Sequence, residues 1–235
     1  MGRGDKQRSS AGRLAAVGVG GLAAYALILR PWHLRWGTTQ EETRRPMPGD
    51  ELVQRPFYVS NRAISIQARP EEIWPWLVQL GMGRGGFYSY EWLERLSGMS
   101  ISTVENLLPE FQTLEPGEEI PTGRGLHLPV RAVEPYGSLV IGSRPEEPPG
   151  TARVSWSLGL YPRDGSTRLV SRVRTSYFWR PGDPLIAFFL GPLHFLMERK
   201  MLLGIKRRAE ALEARLARPE APARPVEHRQ MGADR

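Results

Sequence analysis

The fold of this chain is decided by the stretch ARVSWSLGLYPRDGSTRLVSRVRTSYF, residues 152–178. Apolar and polar residues alternate over Ala152–Tyr161 and again over Arg168–Phe178, which is the pattern of strands with one buried face. Between these runs, residues 162–166 read Pro-Arg-Asp-Gly-Ser, a composition that favours a tight turn. The stretch therefore predicts an antiparallel hairpin.

The predicted hairpin has an apolar face and a polar face, because successive side chains of a strand point to opposite sides. Arg172 and Arg174 lie on the polar face, and we expect them to be exposed to solvent. The apolar side chains are Val154, Trp156, Leu158, Leu160, Leu169, Val173 and Tyr177. A sheet with one apolar face needs another element to cover it.

A long C-terminal helix is predicted to be that cover. Apolar residues recur at helical spacing over residues 184–216, with basic residues on the other side. Upstream, the sequence predicts a strand over Asn61–Gln67, a helix that begins at Pro70 and a short helix over Ser89–Leu96. A further hairpin is predicted over residues 130–142. The order of elements favours an α+β fold in which a curved antiparallel sheet wraps around the C-terminal helix.

Four segments of the chain carry a resemblance to a known superfamily. They are EIWPWLVQ (72–79), GRGGFYSYEWLE (83–94), PEFQ (109–112) and ERKMLLGIKRRAE (198–210). Together they resemble the SRPBCC superfamily of START-like, helix-grip domains, in its polyketide cyclase/dehydrase-like bacterial branch. The resemblance implies the helix-grip fold, but that superfamily includes carriers, receptors, cyclases and interaction modules, so it implies no single reaction.

A cavity is expected between the sheet and the helix, because a curved sheet cannot contact a straight helix along its whole length. Such a site suits an apolar ligand that is fixed by a few polar groups. Tyrosine hydroxyls near its mouth could bind a polar head group, although the aromatic cluster of residues 87–92 also suits a packed core. The expected ligand-binding residues are Tyr88, Tyr90, Trp92, His127, Trp156, Leu158, Val173, Tyr177, Phe188 and Phe189.

No catalytic constellation is recognisable in the sequence. The chain has no Cys and no G-x-S-x-G nucleophile motif. None of the four His residues lies at metal-ligand spacing from another, so no metal site is expected. Acid–base catalysis could use His127, Glu105, Glu110 or Tyr88. His127, between two leucines of a strand, is the weak candidate among them, and a hydrogen-bonded structural role fits it as well. His194 is expected in the core or the cavity lining.

The run Gly81–Gly86 matches the dinucleotide fingerprint G-x-G-x-x-G. That fingerprint requires a strand before it and a helix that begins at its last glycine, whereas here an amphipathic helix is predicted to precede it. We therefore interpret the run as a turn whose glycines adopt positive φ. No cofactor is expected, and Arg84 is a candidate for binding an anionic group.

The N-terminal region predicts a membrane anchor. A basic segment, residues 1–13, precedes an uncharged run, and Arg30, Trp32, Arg35 and Trp36 suit the membrane interface. A single-pass anchor helix over residues 14–36 is therefore expected, with a cleaved signal peptide or a helix packed on the domain as alternatives. The orientation in the membrane is not indicated.

The remaining segments and the charge distribution complete the expected organisation. Residues 37–56 are Pro-bearing and polar and predict a linker, residues 57–216 form the START-like domain, and residues 217–235 form a disordered basic tail. The net charge of +7 resides in the two ends, since residues 46–198 contain 14 basic and 17 acidic side chains. Nucleic-acid binding requires a basic stripe on the folded face, so it is excluded.

The sequence thus favours a membrane-anchored START-like module that binds a hydrophobic small molecule, such as a lipid, an isoprenoid or a polyketide-like compound. One alternative is a cyclase or dehydrase that acts on such a ligand in the same cavity. A second alternative is a non-catalytic interaction protein in which the cavity has collapsed. Protein partners are not indicated.

Overall fold

The computed structural model describes residues 17–90, 103–123, 125–144, 151–176 and 183–217, without the side chains of residues 183–187, 189 and 190. Six strands form a single sheet: β1 Tyr58–Ile66, β2 Glu119–Gly123, β3 Leu126–Glu134, β4 Ser138–Gly142, β5 Arg153–Arg163 and β6 Ser166–Ser176. Residues 17–24 are α-helical, and the further α-helices in the described residues are α1 Arg30–Leu34, α2 Gln40–Arg44, α3 Pro70–Val78 and α4 Asp183–Leu216. A π-helical turn spans Tyr25–Leu29, and 3-10 turns span Asp50–Val53 and Pro109–Phe111.

The sheet is antiparallel between every pair of neighbouring strands, in the order β1-β6-β5-β4-β3-β2. The predicted hairpin is confirmed: β5 and β6 pair with Trp156 opposite Val173. Strand β2 was not predicted, because Pro121 interrupts its pattern. A proline is tolerated there because β2 lies at the edge of the sheet, where not every backbone N–H is paired.

Helix α4 packs against the apolar face of this sheet, and the long helix predicted over residues 184–216 is confirmed. The core between them contains fully buried Leu158 and Leu169 from the sheet and Leu202 and Ile205 from the helix. The α+β architecture, in which a sheet wraps around one long C-terminal helix, is therefore the observed one.

The polar face of the sheet is covered, so the prediction that Arg172 and Arg174 are exposed was wrong. Arg172 is only 3% exposed. It donates hydrogen bonds to Asn61 Oδ1 at 2.5 Å and to Asp50 Oδ2 at 2.7 Å, and others to backbone carbonyls of Glu42 and Arg45. A buried guanidinium needs such acceptors on every side.

Apart from Asn61 of β1, these acceptors belong to residues 37–56, the segment that was predicted to be a linker. Helix α2 begins with a capping box in which Thr39 and Glu42 bond each other's backbone. The Glu42 carboxylate then accepts two 2.8 Å hydrogen bonds from Arg168 of β6. The segment is thus packed on the sheet by ion pairs and by the carbonyls that bind Arg172.

The N-terminal helix runs from residue 17 through the π-helical turn to Leu34. Its last part packs on the domain, where His33 is buried and Tyr25 Oη donates to the carbonyl of Phe188 at 3.1 Å. In the described part of the chain no helix is both long and apolar enough to cross a membrane, so the transmembrane-like helix predicted for residues 14–36 is not supported. Residues 1–13, most of the helix predicted over Ser89–Leu96 and residues 218–235 lie outside the described residues.

Candidate functional site

A cavity of about 310 Å³ lies between the sheet and α4. Its volume falls at the lower end of the range of roughly 300–1,000 Å³ that is typical of small-molecule sites. The sheet, the segment after α3 and one face of α4 contribute its walls. They are formed by Phe87, Ser89, Thr122, Leu126, Leu128, Val154, Trp156, Val173, His194, Met197, Glu198 and Met201.

The sheet wall follows from the alternation of β5 and β6, which directs Val154, Trp156 and Val173 to the same side. The indole of Trp156 is held in place because its Nε1–H donates to Ser171 Oγ at 3.0 Å. Its ring lies 6.2 Å from that of Phe87, measured between centroids. Two aromatic rings therefore form adjacent parts of the cavity wall.

The helix wall is one face of α4. His194, Met197, Glu198 and Met201 are spaced at i, i+3, i+4 and i+7, so they lie on the same side of the helix. Methionine side chains are unbranched and flexible, so they adapt to irregular apolar shapes. The face thus presents two adaptable apolar side chains and two titratable ones.

One end of the cavity, here called the titratable end, is lined by His194 and Glu198. Both side chains contact Arg62 of β1, whose side chain is 0% exposed. Its Nη1 donates to the Glu198 carboxylate and lies 3.3 Å from His194 Nδ1. Its Nε donates to the carbonyl of His33 at 3.0 Å, and its Nη2 to Tyr58 Oη at 3.4 Å. The buried guanidinium is therefore neutralised by one carboxylate and its remaining N–H groups have acceptors.

Arg62 also fixes the tautomer of His194. A guanidinium can only donate hydrogen bonds, so the Nδ1 atom that faces it must accept, and the ring proton of a neutral imidazole then lies on Nε2. Nε2 is 3.5 Å from Glu198 Oε2. Burial lowers the pKa of His194, Glu198 opposes this effect, and the charge of Arg62 adds to it. The imidazole is consequently neutral at pH 7.

Glu198 has one engaged and one unengaged oxygen. Its Oε2 accepts from Arg62, whereas its buried Oε1 has no hydrogen-bond partner among the residues that the structure describes. The side chain as a whole is 3% exposed. A buried carboxylate oxygen without a donor is unfavourable, so this atom is suited to receive a hydrogen bond from a bound molecule.

Some of the residues predicted to bind a ligand lie in or beside this cavity. Trp156 and Val173 line it. Leu158, two residues further along β5, is fully buried in the core. Tyr88 is also a core residue, and its hydroxyl donates to the carbonyl of Trp76 at 3.1 Å. Tyr90 lies with its ring centroid 5.6 Å from Lys200 Nζ.

Other predicted residues are placed elsewhere. His127 is exposed on β3, with its Nδ1 3.7 Å from Glu119 Oε2, and is not part of the cavity wall. Phe188 packs edge-on against Tyr25, with ring centroids 4.5 Å apart. Arg84 donates to the carbonyl of Val78 at 2.9 Å and stacks over the Phe111 ring. Trp92, Tyr177 and the side chain of Phe189 lie outside the described residues.

The glycine-rich run is a turn, as predicted. Gly81 and Gly86 form an isolated antiparallel bridge with reciprocal backbone hydrogen bonds of 3.2 and 3.1 Å. Their φ angles are 128° and 78°, values that glycine adopts readily. Helix α3, and no strand, precedes the run, so it lacks the context that a dinucleotide site needs.

The sequence interpretation missed Arg62 and Glu198 and placed His194 only as core or lining. A signal was present for all three. Arg62 shares the apolar face of β1 with Ile64 and Ile66, and Glu198 lies between methionines in the apolar stripe of α4. Opposite charges on two buried faces that meet each other indicate a buried ion pair.

Comparisons with known proteins bear on the fold. No family model and no curated protein matches the chain. Among solved structures, protein MLL2253 from Mesorhizobium loti is 19% identical, with 66% of this chain and 98% of that chain covered and a TM-score of 0.38. The Aha1 dimer from Colwellia psychrerythraea is 16% identical over 66% and 97%, with a TM-score of 0.37. The di-domain ARO/CYC protein StfQ from the steffimycin biosynthetic pathway is 13% identical over 66% and 51%, with a TM-score of 0.41.

The strand order of the antiparallel sheet and the long terminal helix across it decide the class. The chain has the helix-grip architecture, in which a curved antiparallel sheet wraps around one long C-terminal helix. The resemblance to the SRPBCC superfamily is thereby confirmed as a resemblance of fold alone. Since this helix-grip fold supports many functions, the chemistry has to be argued from the cavity itself. No cluster of His, Asp or Glu that could hold a metal ion occurs in the described ranges.

Proposed function

We propose that the helix-grip domain binds a hydrophobic small molecule in the cavity between its sheet and α4. One observation carries the proposal: about 310 Å³ of space is lined mainly by aromatic, aliphatic and methionine side chains, with its two titratable groups, His194 and Glu198, side by side on α4. Small-molecule sites combine an apolar wall with a few placed polar groups in this way. The open cavity supports ligand binding over the alternative of an interaction protein with a collapsed cavity.

Ligand extraction tests this proposal. The full-length protein is purified, extracted with organic solvent and analysed by mass spectrometry, and binding of 2-methylnaphthalene is then measured by calorimetry. Met197→Trp places a large side chain in the cavity wall, whereas Leu196→Trp changes the neighbouring residue, which is 48% exposed and outside that wall. We expect Met197→Trp to abolish binding and Leu196→Trp to retain it. If the parent protein neither releases nor binds an apolar molecule, the proposal is wrong.

A cyclase or dehydrase activity is a second candidate, and the pairing of His194 with Glu198 favours it. Both residues line the cavity, and the 3.5 Å between Nε2 and Oε2 brings two acid–base groups to one place. The Glu198 carboxylate is the base of this pair, and the Nε2–H of the neutral His194 can donate to the ligand oxygen. The test is α-proton exchange of the model ketone 2-tetralone in D2O, followed by NMR. Exchange that is no faster with the parent protein than with His194→Gln would exclude this activity on ketones.

Attachment to a membrane through residues 14–36 stays part of the proposal. It is supported by the exposed apolar side chains Val17, Val19, Leu22, Leu27, Ile28, Leu29 and Trp32. Arg30, Arg35 and Arg44 line a cleft next to this helix, and basic side chains are attracted to anionic lipid surfaces. Flotation with anionic vesicles should carry the full chain and lose a variant that lacks residues 1–29. Equal behaviour of the two proteins would rule the attachment out.

A further inference from the structure

The charges at the titratable end of the cavity are already balanced. Arg62 carries one positive charge and Glu198 one negative charge, and they are directly hydrogen-bonded to each other. His194 is neutral, because burial and, to a smaller extent, the charge of Arg62 at its Nδ1 side lower its pKa. A charged ligand group would disturb this balance beside the buried side chains of Arg62 and Glu198, where an unpaired charge is costly.

The hydrogen-bonding capacity of this end is not used up. His194 has one N–H, on Nε2, whose nearest carboxylate oxygen lies at 3.5 Å, beyond the usual distance of a good hydrogen bond. Glu198 Oε1 has no donor among the described residues. That oxygen is covered in the present conformation, but the terminal torsion of a glutamate is soft, so a modest rotation can turn it to the cavity. One donor and one acceptor are thus available side by side.

Few ligand groups match a neighbouring donor and acceptor. A hydroxyl matches both, because its oxygen accepts a hydrogen bond from Nε2–H while its O–H donates one to the carboxylate. A carboxylate would lie beside Glu198 with a like charge, and an ammonium group has no lone pair for Nε2–H and would face Arg62. A methyl group would leave both protein groups unpaired.

We infer that the cavity selects neutral apolar ligands that carry a hydroxyl group, an inference that rests on the proposed function. The hydroxyl group is bound by His194 Nε2–H and the Glu198 carboxylate. The apolar body of the ligand then lies against Trp156, Phe87 and the methionines of α4. This assigns the ligand to the class of hydrophobic alcohols and phenols and excludes free fatty acids.

Three probes of nearly equal size test this inference on the full-length protein: 2-naphthol, 2-methylnaphthalene and 2-naphthoate, measured by calorimetry at pH 7.5. A hydrogen bond to a charged group predicts that 2-naphthol binds about tenfold or more tightly than 2-methylnaphthalene. The naphthoate should bind most weakly. Because 2-methylnaphthalene reports the apolar cavity alone, its failure to bind would overturn the proposed function, whereas equal affinities of 2-naphthol and 2-methylnaphthalene would overturn only the selection of hydroxyl ligands.

Two variants test whether His194 causes the preference for 2-naphthol over 2-methylnaphthalene. His194→Phe keeps a ring of similar size and leaves the pair of Arg62 and Glu198 in place, so the protein should fold and bind 2-methylnaphthalene while the advantage of 2-naphthol falls several-fold. His127→Phe makes the same substitution on β3, outside the cavity wall, where the imidazole is exposed and its Nδ1 lies 3.7 Å from Glu119 Oε2. It is the matched control and should keep the advantage. Tightest binding of 2-naphthoate, or an undiminished preference for 2-naphthol in His194→Phe, would contradict the inference.

Discussion

Arg62 on the first strand donates a hydrogen bond to Glu198 on the last helix, and both side chains are almost completely buried. The pair joins the first strand of the domain to its last helix, and Glu198 lines one end of the cavity. It therefore links the stability of the fold to the chemistry of the site.

Arg62→Met should be strongly destabilising. Removing one partner of a buried ion pair leaves an uncompensated charge, which costs about 3–5 kcal/mol of unfolding free energy. Urea denaturation monitored by circular dichroism measures this loss. The double variant Arg62→Met with Glu198→Leu should recover most of it, since replacing the whole pair by apolar side chains is often neutral.

An exposed pair provides the comparison for this prediction. Arg207 contacts Glu105 at 2.9 Å, and both side chains are largely exposed. Exposed ion pairs contribute about 0.2–1 kcal/mol, so Arg207→Met should change stability little. A similar cost at Arg62 and Arg207 would show that the buried pair has no special role.

His33 makes stability depend on pH. Burial, followed by the positive charges of Arg62 and Arg30, lowers its pKa from 6.5 to about 4. The unfolded chain therefore takes up a proton near pH 6.5 while the folded chain does not, and stability falls as the pH decreases from about 6.5 to 4. His194, whose pKa is also lowered, acts in the same direction.

Urea midpoints measured between pH 7.5 and 4 test this dependence in the parent and in His33→Gln. We expect the variant to lose less stability across this interval, because a glutamine takes up no proton in the unfolded state. The comparison isolates the contribution of His33 to the pH dependence of stability, because the carboxylates titrate in both proteins. Parallel curves for the two proteins would mean that His33 is not the source of the dependence.

Arg172→Met should release residues 37–56 from the polar face of the sheet, which these residues cover. The substitution leaves Asp50 without one cationic partner and leaves the Asn61 side chain and several backbone carbonyls without a donor. We expect a loss of about 3 kcal/mol, as for other buried charged networks, and faster cleavage of residues 37–56 in limited proteolysis. Arg163→Met is the control, since Arg163 is largely exposed and lies 3.6 Å from Glu42. If both variants were cleaved at the parent rate, Arg172 would not hold the segment.

The hairpin of β5 and β6 and helix α4 could be predicted because their patterns are local: alternation over eleven residues and an apolar stripe over thirty-four. The packing of residues 37–56 could not, because its stability depends on Arg168 and Arg172, more than 120 residues away. The same reason explains the incomplete prediction of the site. Val154 and Trp156 of the wall are visible as inward positions of one strand, whereas the polar end forms only when β1 and α4 meet.

The two glycines of helix α4 give a final prediction in which helix propensity and packing compete. Alanine is favoured over glycine inside a helix by up to about 1 kcal/mol. At Gly204 an added Cβ would lie 2.8 Å from Tyr88 Cβ and 2.9 Å from the Tyr88 carbonyl oxygen, and this oxygen belongs to backbone that cannot move aside easily. At Gly191 the nearest atom, His33 Cε1, is 3.5 Å away, an ordinary contact distance. Overpacking costs about 1–3 kcal/mol, so Gly204→Ala should lower the unfolding free energy while Gly191→Ala should leave it unchanged or raise it. Equal effects of the two substitutions in urea denaturation would show that α4 does not approach Tyr88 so closely. The test bears on the cavity as well, because the distance between α4 and the segment that carries Phe87 and Ser89 sets the width of the cavity.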